Sequence, residues 1–570
     1  MNQHAVDGAR RDARRLRLGR WLLLAAIAAL WFGFLELRGL YFPDEGRYAE
    51  IPREMLETGD WVTPRLNGIP YFEKPPLQYW VGAATFKTLG VDEWTARLPP
   101  ALAGLLAVIA IGFTASRLAG PESGVYAALA LVGCVWHIGL SQLLTLDSML
   151  SLWLAVALCA FLLAQRASLP RGVERNWMLV AYAAVAAATL TKGLVALVIP
   201  GATLVIYSLA TRDFDPWRRL HAVPGTLLYL ALTVPWFVLV SRANPEFAQF
   251  FFVHEHLDRF LSETHNRTGE WYYFVPWFVL GIIPWLLVWA WTLPRSVRDA
   301  AVASNGFSWE RFCIAWAALV FVFFSASGSK LPSYILPMFP ALALVLGFEM
   351  TRVPSRVLAW IALPLAVGAP ALLALYFASR EWIVATLASD LTPPSIYEAF
   401  GPWLAGALAV FGAGGILAYI LFRRDTAPAK SLGLAALSLA TLIGMQLALV
   451  GHDAFASVRS AFAVLQDAQR ANGKPFDPAF PVYQVASYDQ TLPFYLGRPT
   501  PLVEYRDEMT LGLTAEPRKG YNLHDWKEAW AAAPQAYALT TPDFAAELAN
   551  DNVPMRILAR DPRHVFVARR

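Results

Sequence analysis

Long apolar runs recur from Trp21 to Val450, and each approaches the roughly 20 residues that a helix needs to cross the hydrocarbon core of a bilayer. The chain of 570 residues is 56% hydrophobic and 16% charged, whereas soluble domains carry about 25% charged residues. One large soluble core would not explain so many separate runs. The sequence therefore predicts a polytopic α-helical membrane protein.

The N-terminal segment carries the positive charge of a secretory signal peptide. Six arginines lie between Arg10 and Arg20, directly before the apolar run from Trp21 to Leu35. That run ends in Glu36-Leu37-Arg38-Gly39 rather than in the small-residue cleavage site of a signal peptide. We therefore expect a retained first span with a cytoplasmic N-terminus.

The apolar runs predict about 13 transmembrane helices. Residues 77–93 are apolar too, but this run is short, contains Lys87 and follows Pro75-Pro76. We expect a helix that lies at the membrane surface there, not a span. The predicted spans cover roughly 19–37, 97–117, 122–141, 143–165, 176–191, 193–210, 222–241, 272–293, 312–327, 332–350, 357–378, 402–422 and 431–451.

The arginines predict which loops face the cytoplasm, because cytoplasmic loops are enriched in Lys and Arg. If 77–93 were counted as a span, every later loop would change sides, and the arginine-rich loops would no longer face the cytoplasm. The first loop (38–96) and the second large loop (242–271) are then periplasmic. The predicted cytoplasmic loops contain Arg166, Arg171 and Arg175; Arg212, Arg218 and Arg219; Arg295, Arg298 and Arg311; Arg352 and Arg356; and Arg423, Arg424 and Lys430.

The same topology places the C-terminus outside. The chain then divides into a transmembrane catalytic domain (1–452) and a soluble periplasmic domain (453–570). Apolar segments in this tail are too short to cross a bilayer, and residues 481–486, 553–558 and 563–567 have the composition of short strands among helices. We expect an α/β domain.

Charged and aromatic residues concentrate where the first loop leaves the membrane. Pro43-Asp44 predicts a helix start, and the spacing places Asp44, Arg47 and Tyr48 on one helical face. Pro52 is expected to disturb this helix and Gly59 to end it. A carboxylate here can orient a nucleophile or act as a general base, but capping of the helix is an equally good interpretation of Asp44.

A second cluster contains Tyr71, Glu73 and Lys74, directly before the predicted surface helix. Lysine binds phosphate through charge-assisted hydrogen bonds, although a lysine that merely reaches towards lipid headgroups is an equal alternative. Glu73 and His254 are the residue types that hold a divalent metal such as zinc. Ordinary hydrogen-bonded loop residues are the favoured alternative, and the sequence demands no cofactor.

Charged residues near the outer ends of later spans extend these clusters. Asp147 stands at a span start, where an ionisable residue is costly and is a functional candidate, with a helix cap as the alternative. Lys192, in a turn between spans, is more typical of a lysine that reaches the headgroups. Arg259 and Tyr334 lie in two further outer segments, on the same predicted side of the membrane.

Several of these motifs together resemble a known family. The segments 44–50, 61–68 and 72–77, followed in order by 191–193, 256–260 and 329–334, are similar to the GT-C glycosyltransferases related to protein O-mannosyltransferases. Within them, the resemblance is greatest to the lipid A aminoarabinose transferases. It is strong over about residues 20–350; beyond that the chain matches in layout, with more spans and then an outer domain.

The resemblance implies transfer of 4-amino-4-deoxy-L-arabinose from undecaprenyl phosphate to a lipid A phosphate. The reaction would occur on the periplasmic side of a bacterial inner membrane and give resistance to polymyxin and cationic peptides. By the same resemblance, the donor phosphate would be bound by Lys74, Arg259 and Tyr334. Asp44 would stand at the reacting centre, with Asp147 as a second acidic candidate. The sugar or the acceptor would contact Arg47, Tyr48, Tyr71 and Glu73.

The expected reaction is a direct displacement with inversion at the sugar carbon, with undecaprenyl phosphate as the leaving group. Two alternatives stay open. A sibling enzyme of the same fold would move mannose or another sugar to a protein or glycan. A flippase or transporter of lipid-linked sugars belongs to a different class, but transporters often show internal repeats, and the sequence has none that we detect. A basic nucleic-acid surface is also lacking in the sequence, so nucleic acid is not an expected partner.

Overall fold

The structure is a computed structural model that describes residues 24–252, 269–300 and 302–570. Each predicted span coincides with a helix, or with a pair of helices, in these residues. Seven of the described helices are long and apolar enough to cross a membrane, and the number rises to 9 if each of two bent pairs is one span. The polytopic helical architecture is thereby confirmed, whereas the count of spans stays a prediction.

The helices cover most of the apolar region and also contribute to the C-terminal domain. A short 3-10 turn covers Pro332–Ile335. In chain order the helices are α1 (residues 24–32), α2 (Asp44–Thr58), α3 (Leu77–Leu89), α4 (Glu93–Ala119), α5 (Pro121–Val132), α6 (Val135–Ser141), α7 (Leu146–Ala164), α8 (Arg171–Lys192), α9 (Val195–Thr211), α10 (Asp215–Arg218), α11 (Ala222–Ala243), α12 (Phe247–Gln249), α13 (Phe274–Gly281), α14 (Leu286–Arg298), α15 (Trp309–Ala326), α16 (Met338–Arg352), α17 (Ser355–Leu387), α18 (Pro394–Arg423), α19 (Ala427–Ser457), α20 (Phe462–Asn472), α21 (Thr491–Leu496), α22 (Thr510–Ala515), α23 (Leu523–Ala532) and α24 (Pro542–Asn550).

Two of the predicted spans are broken helices. The axes of α5 and α6 differ by 63°, and those of α13 and α14 differ by 102°. Pro284 lies in the second break, where its missing N–H prevents a continuous ladder of helical hydrogen bonds. Apolar composition alone does not reveal such breaks, because each run stays apolar across them.

Helix α7 is the most enclosed of the long apolar helices. In its most apolar stretch 89% of the residues are buried, against 22% for α11 and 22% for α17. Helix α7 is therefore surrounded by protein, whereas α11 and α17 present most of their surface outwards. Asp147, in the first turn of α7, lies inside the protein as a consequence.

The first loop consists of α2, a short hairpin and α3. Its two strands, β1 (Arg65–Leu66) and β2 (Ile69–Pro70), pair antiparallel. Helix α2 continues past Pro52, so this proline does not end it, and Gly59 ends it in a left-handed conformation with φ of 71°. Helix α3 has 13 residues, which is about 20 Å, too short to cross a bilayer core of about 30 Å.

The C-terminal domain is built on a six-stranded sheet, and its α/β class is confirmed. Strands β3, β4, β5 and β6 run parallel, and β8 pairs antiparallel with both β6 and β7. The three predicted strands are present as β3, β7 and β8; the very short β4 and β5, and β6, were not predicted. The strands are β3 (Val482–Val485), β4 (Leu502–Val503), β5 (Gly520–Tyr521), β6 (Tyr537–Thr540), β7 (Met555–Arg560) and β8 (Val565–Arg569), in the sheet order β5-β4-β3-β6-β8-β7.

The C-terminal domain packs directly on the first loop. One buried cluster contains Tyr48 and Ile69 from the loop together with Tyr488 and Leu502 from the domain. Helix α19 runs on to Ser457, beyond the predicted boundary at 452, and leads into the domain. The first loop and the C-terminal domain therefore form one packed unit, and the candidate site lies where they meet.

Candidate active site

Helix α2 is anchored to the membrane helices through Glu45. Its buried carboxylate accepts hydrogen bonds from the Arg97 guanidinium on α4, at 2.9 and 2.6 Å, and from the Leu144 backbone N–H at 2.8 Å. Burial alone would raise the pKa of Glu45, but the Arg97 charge outweighs it and lowers the pKa to about 2. The ion pair fixes the start of α2 to α4, and the hydrogen bond from Leu144 holds it beside the segment that leads into α7. Asp44 and Asp147 therefore lie in neighbouring parts of the fold.

Asp44 begins α2, as predicted, but its carboxylate does not cap the helix. The residue at the cap position is Pro43, and no side chain caps this end. The Asp44 carboxylate instead accepts a hydrogen bond from the Arg47 guanidinium at 2.8 Å. The capping interpretation of Asp44 is therefore wrong, and the predicted face shared by Asp44, Arg47 and Tyr48 is confirmed.

Arg47 joins the first loop to the C-terminal domain. Besides Asp44, its guanidinium pairs with the carboxylate of Glu508, next to α22. The guanidinium carbon also lies 5.9 Å from the ring centroid of Tyr48 and 6.0 Å from that of Tyr71. Arg47 is thus held between two carboxylates and two aromatic faces.

Buried phenols surround this arginine. The rings of Tyr48 and Tyr79 are 6.3 Å apart, and all three phenols, including Tyr71, are almost fully buried. Burial raises the pKa of Tyr48 and Tyr71, and the carboxylates of Asp44 and Glu73, respectively, raise it further. At neutral pH these side chains are therefore neutral hydrogen-bond donors, and Glu73 lies close enough to both rings to affect their titration.

Glu73 and Lys74 lie in the segment that leads from Tyr71 to α3. The Lys74 ammonium donates a hydrogen bond to the Glu73 backbone oxygen at 2.8 Å and lies 3.6 Å from the Glu73 carboxylate. The preceding residue, Phe72, shares a buried apolar cluster with Leu190 near the end of α8. This packing brings the Glu73-Lys74 segment towards the turn that holds Lys192.

Asp147, Lys192 and Tyr334 form a second group. The Lys192 ammonium pairs with the Asp147 carboxylate and lies 4.8 Å from the ring centroid of Tyr334. Asp147 lies one residue inside α7, whose cap position is Thr145, so the capping interpretation of Asp147 is wrong. The expectation that Lys192 reaches the headgroups is also wrong, since its side chain is 16% exposed and turned to a buried carboxylate.

Sequence reasoning missed two charged residues of the site. Lys192 lies in the family-like motif 191–193, but the sequence favours a side chain that reaches the lipid headgroups. Its position at the end of an apolar helix is the signal for a role in the site. Glu508 lies in the tail, 461 residues from its partner Arg47. Nothing in the spacing of the sequence connects these two residues, because tertiary packing alone brings them together.

Two predicted site residues lie outside the described residues. Arg259 and His254 both fall between 253 and 268. Within the described ranges, no group of three or more His, Cys, Asp or Glu side chains stands close enough to hold a metal ion. The zinc pair of Glu73 and His254 stays a prediction.

The arrangement suits a ligand that is anionic at one end and rich in polar groups at the other. Lys74 and Lys192 can stabilise phosphate charge by charge-assisted hydrogen bonds. The neutral phenols can donate to sugar hydroxyls, and Asp44 and Glu73 can accept hydrogen bonds from hydroxyl or amine groups. Asp44, Tyr48 and Tyr71 all lie against Arg47, so a single polar ligand can contact all three.

Two family models match the chain. The model described as "Dolichyl-phosphate-mannose-protein mannosyltransferase" matches residues 18–297, and the model described as "Aminoarabinose transferase C-terminal domain" matches residues 469–569. The first match contains the first loop and the first eight predicted spans. The second lies within the predicted outer domain.

Curated relatives carry one shared name, "Undecaprenyl phosphate-alpha-4-amino-4-deoxy-L-arabinose arabinosyl transferase". The protein of Edwardsiella ictaluri is 31% identical over 346 residues, which are 60% of this chain and 61% of that protein. The protein of Shewanella sediminis is 31% identical over 418 residues, 71% of this chain and 73% of that protein. The alignment with the Edwardsiella protein therefore spans about three fifths of its length.

Solved structures match over nearly the whole chain. The crystal structure of ArnT from Cupriavidus metallidurans bound to undecaprenyl phosphate is 37% identical, with a TM-score of 0.89 over 96% of this chain and 97% of that one. The archaeal oligosaccharyltransferase AglB from Archaeoglobus fulgidus is 12% identical, with a TM-score of 0.50 over 92% of this chain and 70% of that one. The second likeness concerns the fold alone. With the first, it confirms the predicted GT-C fold.

Proposed function

The chain belongs to the family of undecaprenyl phosphate-alpha-4-amino-4-deoxy-L-arabinose arabinosyl transferases, and on that premise we propose that it transfers 4-amino-4-deoxy-L-arabinose from undecaprenyl phosphate to a phosphate of lipid A. The observation that carries this proposal is the match at 37% identity over 96% of the chain to a structure that binds undecaprenyl phosphate. The family models that match residues 18–297 and 469–569 support it. The enzyme is then an inverting glycosyltransferase with a lipid-linked donor.

The donor phosphate is bound by Lys74, Arg259 and Tyr334 in this proposal. When the bond between the sugar carbon and the phosphate oxygen breaks, negative charge develops on undecaprenyl phosphate, and nearby cations stabilise it. Lys74 lies three residues before the start of α3, and Lys192 adds a second cation beside Tyr334. Arg259 is assigned from its motif alone.

Asp44 is the carboxylate that orients the acceptor or the sugar amine. A lipid A phosphate is largely ionised at neutral pH, because the second pKa of a phosphate monoester is about 6. The attacking oxygen therefore needs little help from a base. The hydrogen bond from Arg47 holds the Asp44 carboxylate in one orientation, which suits a group that orients a partner.

The aminosugar is bound by Arg47, Tyr48, Tyr71 and Glu73. Burial keeps the two phenols neutral, so they donate hydrogen bonds to hydroxyl groups. The Glu73 carboxylate, together with Asp147, supplies negative charge for the sugar ammonium. We assign the sugar a position beside Arg47, with its ammonium group towards these carboxylates.

Glu73 and His254 also form a proposed metal pair. They supply two ligands, whereas a catalytic zinc site has three protein ligands. Metal analysis of the purified protein, with and without chelator treatment, tests the pair. An unchanged transfer rate in metal-free protein would remove a metal from the mechanism.

The active site faces the periplasm in this proposal. Multi-pass membrane character follows from the long apolar helices and from the family. We place the chain in a bacterial inner membrane, with the N-terminus inside and the C-terminus outside, as the arginine distribution predicts. A lipid-linked donor suits that side, since nucleotide sugars belong to the cytoplasm.

The deciding experiment measures the mass of lipid A from cells with and without this chain. We expect a mass increase of one aminopentose residue and improved survival in polymyxin. Lipid A of unchanged mass, together with a glycosylated protein or glycan, would support the sibling enzyme. Movement of the donor across vesicles of purified protein, without any transfer product, would support a flippase.

A further inference from the structure

The carboxyl ends of the parallel strands in the C-terminal sheet form the place where open α/β folds commonly bind ligands. The chain passes from β3 to β4 and β5 on one side, and then to β6 on the other side of β3. Ligands of such sheets bind at the carboxyl ends of the strands where the order reverses. Here the segment that follows β3 leads to Gln490, and the first loop packs against it. A Cβ on Gly46 would lie 2.6 Å from the backbone of Gln490 and Thr491.

The hairpin β1–β2 is held by the same domain through Asn67. Its side-chain amide donates to the Thr500 backbone oxygen at 2.6 Å and accepts from the Thr500 backbone N–H at 2.6 Å. The Thr500 hydroxyl lies 3.1 Å from the same Asn67 oxygen, and it accepts from the Gln484 side chain on β3 at 2.7 Å. All three residues are almost fully buried. A polar chain therefore runs from the sheet to the hairpin tip.

Close backbone contact fixes the other strand of the hairpin. A Cβ on Gly512 in α22 would lie 2.4 Å from the Ile69 side chain and 2.4 Å from the Pro70 backbone oxygen. At the tip, the Gly68 backbone N–H is bound by the Glu54 carboxylate at 2.8 Å. The hairpin is thus fixed from the domain and from α2.

The hairpin leads straight into the site. Strand β2 ends at Pro70, and the next residue, Tyr71, donates its backbone N–H to the Pro64 oxygen at 2.9 Å. The Tyr71 ring lies against Arg47, and Glu73 follows two residues later. A displacement of the hairpin would therefore also move Tyr71 and Glu73, two residues that we assign to binding of the aminosugar.

We propose that Asn67, held by Thr500, is a positioning residue through which the C-terminal domain sets Tyr71 and Glu73 for transfer. The inference rests on the proposed function, because it names how this domain serves that site. The domain contributes to the reaction by holding the loop, in addition to the contact of Glu508 with Arg47.

Steady-state transfer with purified full-length protein, undecaprenyl phosphate-linked aminoarabinose and lipid A tests the proposal. We expect Asn67→Ala to lower kcat/KM by roughly 10- to 100-fold, the effect of a displacement of about 1 Å at a reacting centre. Thr500→Val, which loses the hydroxyl alone, should lower it less, and Thr500→Ser should restore it. Glu516→Gln is the matched control, because it removes a partly exposed ion pair to Arg65 between the same hairpin and the C-terminal domain.

A double-mutant cycle separates positioning from general loss of stability. If Asn67 acts through Tyr71, then Asn67→Ala should change kcat/KM less than twofold in a Tyr71→Ala background. Undecaprenyl phosphate should still raise the melting temperature of these variants. Full additivity, or normal activity of both Asn67→Ala and Thr500→Val, would overturn the inference. If Asn67→Ala fails to fold, Thr500→Val and Thr500→Ser decide the outcome. An inactive wild type would instead overturn the proposed function.

Discussion

At the scale of single residues, the Asp44 carboxylate has a partner that fixes its direction and leaves it partly accessible. Its side chain is 48% exposed and bound to Arg47, which keeps a second partner in Glu508. We expect Asp44→Asn to lower transfer by roughly 100-fold, the effect of a displacement of about 1 Å at a reacting centre, while the fold is retained. Polymyxin survival with matched expression measures this. Asp390→Asn, in an exposed loop that is predicted to lie outside, is the control; full protection by Asp44→Asn would remove Asp44 from the chemistry.

Glu45, the neighbour of Asp44, carries a structural charge. Its pKa of about 2 lies below the ordinary value of 4.5, so its contribution to stability is present above about pH 4.5 and is lost as the pH falls towards 2. At neutral pH, Glu45→Gln leaves the fully buried Arg97 charge without its counterion. We expect a loss of about 3–5 kcal/mol in the free energy of unfolding.

Thermal unfolding in detergent measures the effect of Glu45→Gln. Glu57→Gln on the same helix is the matched control, because Glu57 is 58% exposed and exposed ion pairs contribute about 0–1 kcal/mol. The double variant Glu45→Gln/Arg97→Met should recover part of the stability. Equal melting temperatures for the Glu45 and Glu57 variants would contradict the assignment of Glu45 as the anchor of α2.

Local spacing predicts residue contacts well and tertiary contacts poorly. The helical repeat alone predicts that Asp44, Arg47 and Tyr48 share a face, since their separations are three and four residues. The direction of Lys192 depends on a carboxylate 45 residues away, and Glu508 reaches Arg47 from another domain. No pattern within one helix or loop contains that information.

At the scale of elements, α2 is pressed against the C-terminal domain at Gly46. A Cβ there would lie 2.6 Å from the Gln490–Thr491 backbone, which has no flexible end to move aside. We expect Gly46→Ala to separate α2 from the domain, lower the melting temperature and abolish most transfer, although alanine favours helix formation. Melting curves and transfer assays check this. Gly172→Ala in α8 is the control, since no other atom would lie within 4 Å of its Cβ; identical behaviour of the two variants would contradict the close contact.

Length decided which elements the sequence could predict. Long apolar runs predict the membrane helices because about 20 apolar residues in a row have few other solutions. Strands β4 and β5 have two residues each, too few for any alternation to emerge. The bend between α13 and α14 is likewise set by a short break inside a continuous apolar run.

At the scale of the whole molecule, the arginine pattern predicts an orientation that labelling can check. The three cysteines, Cys134, Cys159 and Cys313, are buried, so the native chain provides an unreactive background. Single cysteines at the exposed positions Asp215, Ser389 and Asp467 report one predicted cytoplasmic loop, one predicted outer loop and the C-terminal domain.

In intact spheroplasts, we expect a membrane-impermeant maleimide to modify Ser389→Cys and Asp467→Cys. Both lie on the same side if α17, α18 and α19 all cross the bilayer, and Arg352 and Arg356 around the start of α17 predict that this side is the outer one. Asp215→Cys should react after the membrane is permeabilised and not before, since it lies beside Arg218 and Arg219 in a loop that the positive-inside rule retains in the cytoplasm. Polymyxin survival of each variant verifies that it is folded. Modification of Asp215→Cys in intact spheroplasts would show that the predicted topology is inverted. The first loop and the site around Arg47 would then face the cytoplasm, contrary to the proposed reaction with lipid A on the outer side.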